Sequence, residues 1–195
     1  ARSLAYRGQV SSAGMVLAES LDYARHLANL PALCWSLSMT ALFKLMCGEP
    51  QQALAAVDEL GAIARQVGLP ARVSIAQIYE GEALLQMGDP SAALPLLWSG
   101  LHGWRRSGGL FLCSEYATRI AGLLLDARIP EAASEFVAYA ETVEADSEER
   151  FCHAELIRMQ GRLLGLAGDS PQARVRYQEA ADVATRQGAR LFALR

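Results

Sequence analysis

Three histidines and four cysteines give this chain its widest chemical repertoire, and their placement limits what they can do. Cys152-His153 close to Glu155 has the makings of a metal half-site, but no second ligand cluster lies at zinc spacing. His153-Ala154-Glu155 has the H-x-E form used by zinc deaminases, yet the P-C-x-x-C half is absent. His26, His102 and His153 are isolated from one another, and none is paired with a nucleophile motif that would make it a general base. Cys34, Cys47, Cys113 and Cys152 form no C-x-x-C pair and sit inside apolar pattern, as small buried hydrophobes of a reducing compartment do. Lys44 stands in no G-x-x-x-x-G-K context, and G-x-S-x-G, H-E-x-x-H and G-x-G-x-x-G are all missing. The expectation is a non-enzymatic chain with no catalytic residues, no metal and no cofactor.

Binding chemistry remains. Arg158 and Arg162 are four residues apart, hence on one helix face, and together could grip a carboxylate or an acidic peptide. The plainer alternative is that Glu155 and Arg158 form an intrahelical pair on a solvated face. Trp98, Trp104 and Arg105-Arg106 could form a contact patch with arginine stacked on indole, or the tryptophans could fill a seam between helices. The acidic run at 141–150 reads as a frayed helix end and a solvated loop, with docking of a basic partner as the minor alternative.

These side chains must be carried by helices. Of 195 residues, 34 are Ala and 29 are Leu, good helix formers that outnumber the β-branched and aromatic types. A net charge of −3 gives no electrostatic footprint for direct nucleic-acid binding. The apolar runs fall short of the roughly 18 residues that suggest a membrane span, and no signal-peptide layout is present, so a cytoplasmic location without membrane contact is expected. Among 18 basic residues, 17 are Arg, which reads as the trace of a G+C-rich genome and not as a function.

The strongest signal is a period of 40 residues, carried by Ala13, Ala53, Ala93, Ala133 and Ala173. Twelve residues before each stands another small residue: Ala1, Ala41, Gly81, Ala121 and Gly161. Five before come Gly8, Gly48, Gly88, the exceptional Arg128, and Gly168. Three before come Pro50, Pro90, Pro130 and Ser170. Gly68, Gly108 and Gly188 mark the ends of second halves. Glycine ends a helix and proline opens the next, so each unit reads as two helices. First helices are expected near 32–47, 71–87, 111–127 and 152–167, and second helices near 12–28, 51–67, 91–106, 131–144 and 171–187. Residues 1–8 would end a first helix and 190–195 would begin another. The small residues let paired helices approach closely, Ala41 facing Ala53 for example.

This pattern resembles the tetratricopeptide repeat family. The matching residues are Ala41, Gly81, Ala121 and Gly161 in first helices, with Ala53, Ala93, Ala133 and Ala173 in second helices. The small residue seven positions later is Gly100, Ala140 or Ala180, with Leu60 departing. The large apolar residue between is Val57, Leu97, Val137 or Tyr177. The resemblance spans nearly the whole chain, but its period exceeds the family's, about 34. The extra residues are expected mostly in the loop after each second helix. The resemblance implies an all-α, right-handed α-α superhelix of about five hairpins over residues 1–195. A narrower similarity links 153–195 to the C-terminal helical arrays of large bacterial ATPase-linked transcriptional regulators and adenylate cyclases, implying a piece of a larger signalling protein.

In such arrays the first helices line a concave groove. The groove positions map here onto Trp35, Ser38, Leu42 and Met46; Ile78, Glu82 and Gln86; Glu115, Thr118 and Asp126; and Glu155, Arg158 and Arg162. Trp35, Leu42 and Met46 would form an apolar anchor for a partner helix, or alternatively core. The function expected is a non-catalytic interaction or sensor module binding a protein or peptide, or other domains of a parent chain. The alternative is a regulatory domain that binds a small effector and switches an attached ATPase or output domain. Self-association through the array's uncapped ends is a further possibility.

Overall fold

The computed structural model describes residue 4 and residues 9–109, 111–147 and 149–189. Nine helices occur among the described residues, with no strand. They are α1 (Val10–His26), α2 (Leu30–Met46), α3 (Pro50–Gln66), α4 (Pro70–Gln86), α5 (Pro90–Arg106), α6 (Cys113–Asp126), α7 (Pro130–Asp146), α8 (His153–Leu166) and α9 (Ser170–Arg186). Each begins and ends within about two residues of the sequence expectation, most of them slightly upstream. The expected helical fragments at 1–8 and 190–195 lie outside the described residues, residue 4 excepted.

Local chemistry sets these boundaries. Proline occupies the first turn of α2, α3, α4, α5, α7 and α9, where its missing N–H costs nothing. Asn29, Asp89 and Asp169 accept the N–H of Ala32, Ala92 and Gln172 at 3.0, 3.0 and 3.1 Å. At the C-termini the chain turns left-handed, with φ of +71° at Gly48 and +85° at Gly88. After α2, Gly48 N–H donates to Leu45 O and Glu49 N–H to Lys44 O, closing a Schellman motif. Arg128, the one departure from the glycine series, keeps φ at +61° and makes the same pair of bonds. The turn is therefore imposed on arginine by its surroundings.

The period has a simple origin in the first five helices. Each is 17 residues long and is joined to the next by three residues, so one helix plus one turn is 20 residues and a hairpin is 40. The expectation that extra residues sit in loops is corrected here: in α1–α5 they lengthen the helices. It holds farther along. There α6 and α8 shrink to 14 residues, and residues 147–152 separate α7 from α8.

The chain divides into two compact units, Ala1–Gly109 and Leu110–Arg195. In the first, α1 to α5 pack consecutively and α2 also packs on α4. In the second, α6 to α9 pack consecutively and α6 also packs on α8. Each unit is thus a stack of helical hairpins, the arrangement of an α-helical repeat array. The small residues sit where helices cross. Ala41, Ala53, Ala93, Ala121 and Ala133 are fully buried. A Cβ at Gly81 would lie 2.6 Å from Leu97 Cγ and 3.1 Å from the Ala93 carbonyl oxygen, which shows how near α5 runs to α4.

Candidate functional site

The first helices α2 and α4 position the expected groove residues of the first unit. Trp35 lies in the second turn of α2 and is 54% exposed, although its neighbours Leu33, Cys34 and Leu37 are buried. The Arg72 guanidinium, from the first turn of α4, lies 4.5 Å from the centroid of the Trp35 ring. Met46 is exposed at the end of α2. Gln86, half-buried on α4, donates its Nε2 proton to the Leu45 carbonyl at 3.1 Å, a second bond to the oxygen that already accepts the Gly48 N–H. Leu42 and Glu82 are buried, as are Ser38 and Ile78. The structure thus separates the expected anchor: Trp35 and Met46 are open to solvent, while Leu42 belongs to the core.

In the second unit, α6 and α8 carry the remaining positions. Glu115 is buried and pairs with Arg119 at 3.5 Å, one turn along α6; Thr118 is also buried. Asp126 is exposed and accepts from Arg162 Nη2 at 2.6 Å, and the same guanidinium reaches the Gly122 carbonyl at 3.5 Å. Arg158 donates from Nε and Nη2 to the two oxygens of Glu155, at 3.1 and 2.9 Å. Both arginines therefore already hold carboxylates of this chain. The intrahelical Glu155–Arg158 pair of the plainer alternative is present, but Glu155 is buried and not on a solvated face, and Arg158 Nη1 takes no part in the pair.

Within the run at 141–150, Glu144 and Glu149 are built into the unit, which corrects the expectation of a frayed helix end, while Glu141, Asp146 and Arg150 are exposed as that expectation had them. Helix α7 continues to Asp146, and Glu144 is buried. Ser114 Oγ donates to Glu144 Oε1 at 2.9 Å, and His153 Nδ1 lies 2.7 Å from Oε2. One carboxylate thereby ties the end of α7 to the starts of α6 and α8. Hydroxyl and imidazole address opposite oxygens of the acid, so this geometry orders helix ends and does not direct the Ser114 proton to the imidazole. Glu149 accepts the Leu112 N–H with both oxygens at 3.0 Å, and Leu112 holds φ at +68° just before α6. The sequence signal was weak: Glu144 lies 30 residues from Ser114 and Glu149 lies 37 from Leu112, and only His153, nine residues from Glu144, is near in sequence.

Trp98 and Trp104 are half-buried on α5, and the Trp98 ring lies 5.4 Å from that of His102. A Cβ at Gly109 would run into the Trp104 indole, so this tryptophan fills space at the end of its helix. Cys34, Cys113 and Cys152 are buried free thiols and Cys47 is exposed. Burial pushes the Cys34 thiol above its ordinary value, and the nearby charge of Arg72 partly opposes the rise. Among the described residues, no group of three His, Cys, Asp or Glu side chains converges as a metal cage. No described helix is long and apolar enough to cross a membrane.

Comparison with protein-family models, with curated proteins and with solved structures gives no significant match. What fold and surface define together is the class: an α-helical repeat array with an exposed indole on one first helix, α2.

Proposed function

We propose that the chain is a non-catalytic interaction or sensor module, a tetratricopeptide-like array that presents the first-helix side of its units to a protein or peptide partner. The proposal includes the setting that the sequence resemblance implies: a cytoplasmic bacterial signalling or transcriptional regulator. The observation that supports it most is Trp35, more than half exposed on a helix whose adjoining residues form core. Trp35 stands eleven residues, about three turns, from the exposed Met46 and so on the same side of α2, and tryptophan dominates the energetics of protein contacts. Rigid hairpins would hold that face in place, so binding would not require the array to be ordered first.

The test is site-specific photo-crosslinking in cells of the source organism. A benzophenone side chain at Met46 probes the first-helix side, and one at the exposed Ser99 of α5 probes a second helix. A polypeptide partner should crosslink from position 46 and not from 99. Equal crosslinking from both, or none from 46, rejects the assignment of the binding face.

A further inference from the structure

We propose that Trp35 and Arg72 form one anchor for a partner segment in which an aromatic side chain adjoins a carboxylate. This deepens the interaction reading above and rests on it, because it takes the occupant to be a polypeptide. The two residues come from successive first helices and meet only because α2 packs on α4. The Arg72 guanidinium carbon lies over the indole, 4.5 Å from the ring centroid, a cation–π contact that uses none of the group's five N–H donors on a carboxylate. Among the described residues no carboxylate pairs with Arg72. Arg25, Arg158, Arg162 and Arg176 each hold a carboxylate, whereas Arg65 and Arg174, like Arg72, hold none among the described residues; what sets Arg72 apart from those two is the exposed indole beneath it.

The surroundings favour a negative occupant. Arg72 stands in the first turn of a 17-residue helix that has no acidic residue there and no side-chain cap, so the positive end of the helix dipole adds to the guanidinium. The first turn of α2, below Trp35, also lacks an acid. The charge is felt inside the unit too, where Arg72 opposes the burial-driven rise at Cys34. A carboxylate can take two in-plane donors at once. The part of the indole left uncovered by Arg72 then offers stacking or edge contact to an aromatic ring. A bare anion would use only the arginine, and a basic peptide would be repelled by it.

The test uses the whole chain, labelled with nitrogen-15. The Trp35 indole N–H is assigned by its loss in Trp35→Phe. Blocked hexapeptides of glycine and serine are titrated in, with Phe-Glu, Phe-Gln or Ala-Glu as the central pair, alongside inorganic phosphate. The Phe-Glu peptide should shift the Trp35 resonance saturably, about tenfold more tightly than either other peptide, equivalent to about 1.4 kcal/mol. Arg72→Gln should abolish the preference for Phe-Glu over Phe-Gln without changing the circular dichroism. Equal binding of those two peptides overturns the proposal. So does phosphate acting as strongly as Phe-Glu, or no saturable shift from any peptide. If the partner crosslinked at Met46 survives Trp35→Ala and Arg72→Gln, the anchor fails and the interaction reading stands. If nothing crosslinks while Phe-Glu still binds, the interaction reading fails, and the anchor's assignment to a polypeptide partner fails with it.

Discussion

Gly100 lies inside α5, where alanine would ordinarily help a helix by about 1 kcal/mol. Here the opposite is expected. A Cβ at position 100 would stand 2.7 Å from Ile78 Cγ1, 2.8 Å from the Ser74 carbonyl oxygen and 3.0 Å from the Ile78 nitrogen. A rotamer change could move the first of these, but the other two are backbone of α4. Relief therefore requires α5 to retreat along the helix pair that packs most extensively in the first unit. Overpacking costs about 1–3 kcal/mol, and unyielding backbone argues for the upper end. After the propensity gain, Gly100→Ala should lose about 2 kcal/mol.

The control is Gly122→Ala in α6, where the added Cβ meets only Met159 Sδ at 3.6 Å, an ordinary contact. That variant should gain up to about 1 kcal/mol. Urea unfolding reads both. With a slope of about 2 kcal/mol/M, the midpoint should fall by about 1 M for Gly100→Ala and rise by up to about 0.5 M for Gly122→Ala. Both slopes should match the parent's, since a changed slope would mean that cooperativity had been lost. A Gly100→Ala midpoint equal to or above the parent's would refute the close α4–α5 approach. A fall at both positions would show that helical glycines matter here for some reason other than crossing distance.

Three further outcomes follow from the geometry. Arg128→Gly should stabilise the chain by up to about 1 kcal/mol in the same unfolding assay, because arginine there holds a left-handed φ of +61° that costs glycine nothing. Glu144→Ala should cost about 2–3 kcal/mol, since it strands Ser114 and His153 together, whereas Ser114→Ala should cost about 1 kcal/mol; equal costs would deny Glu144 its role as the shared acceptor. In iodoacetamide labelling of the native chain across pH, followed by peptide mass mapping, Cys47 should react well before Cys34, whose buried thiol keeps its proton to higher pH. The neutral Cys34 thiol is favoured by folding, so its contribution to stability is whole below the ordinary thiol value and is lost as pH rises through the elevated one. Arg72→Gln removes the opposing charge and should slow Cys34 further; equal rates for the two cysteines would argue against its burial.

Much of the array was legible because its determinants are local or periodic. Proline at helix starts and left-handed glycine after helix ends fix the boundaries with bonds no longer than one turn. The recurring small residues announced the crossings, and the contacts awaiting a Cβ at Gly81 and Gly100 show why nothing larger fits. The groove positions were less legible. Leu42 and Glu82 sit at positions that the repeat pattern assigns to an open face, yet both are buried. Successive residues of a helix point about 100° apart, and a small rotation of a helix on its neighbour decides whether a boundary position meets solvent or core.

The amino-acid sequence by itself determined that the chain is helical, that it repeats every 40 residues and where nearly every helix begins and ends. Those properties follow from backbone torsions and from neighbours three or four residues away. Only the tertiary structure decided which long side chains meet: Arg72 with Trp35, Arg162 with Asp126, Glu149 with Leu112, and Glu144 with Ser114. Each pairing joins residues 30 to 37 apart, on elements whose relative rotation is set by how their small and large apolar residues interlock. Tertiary packing also distinguished arginines already holding a carboxylate from Arg72, which lies over an exposed indole.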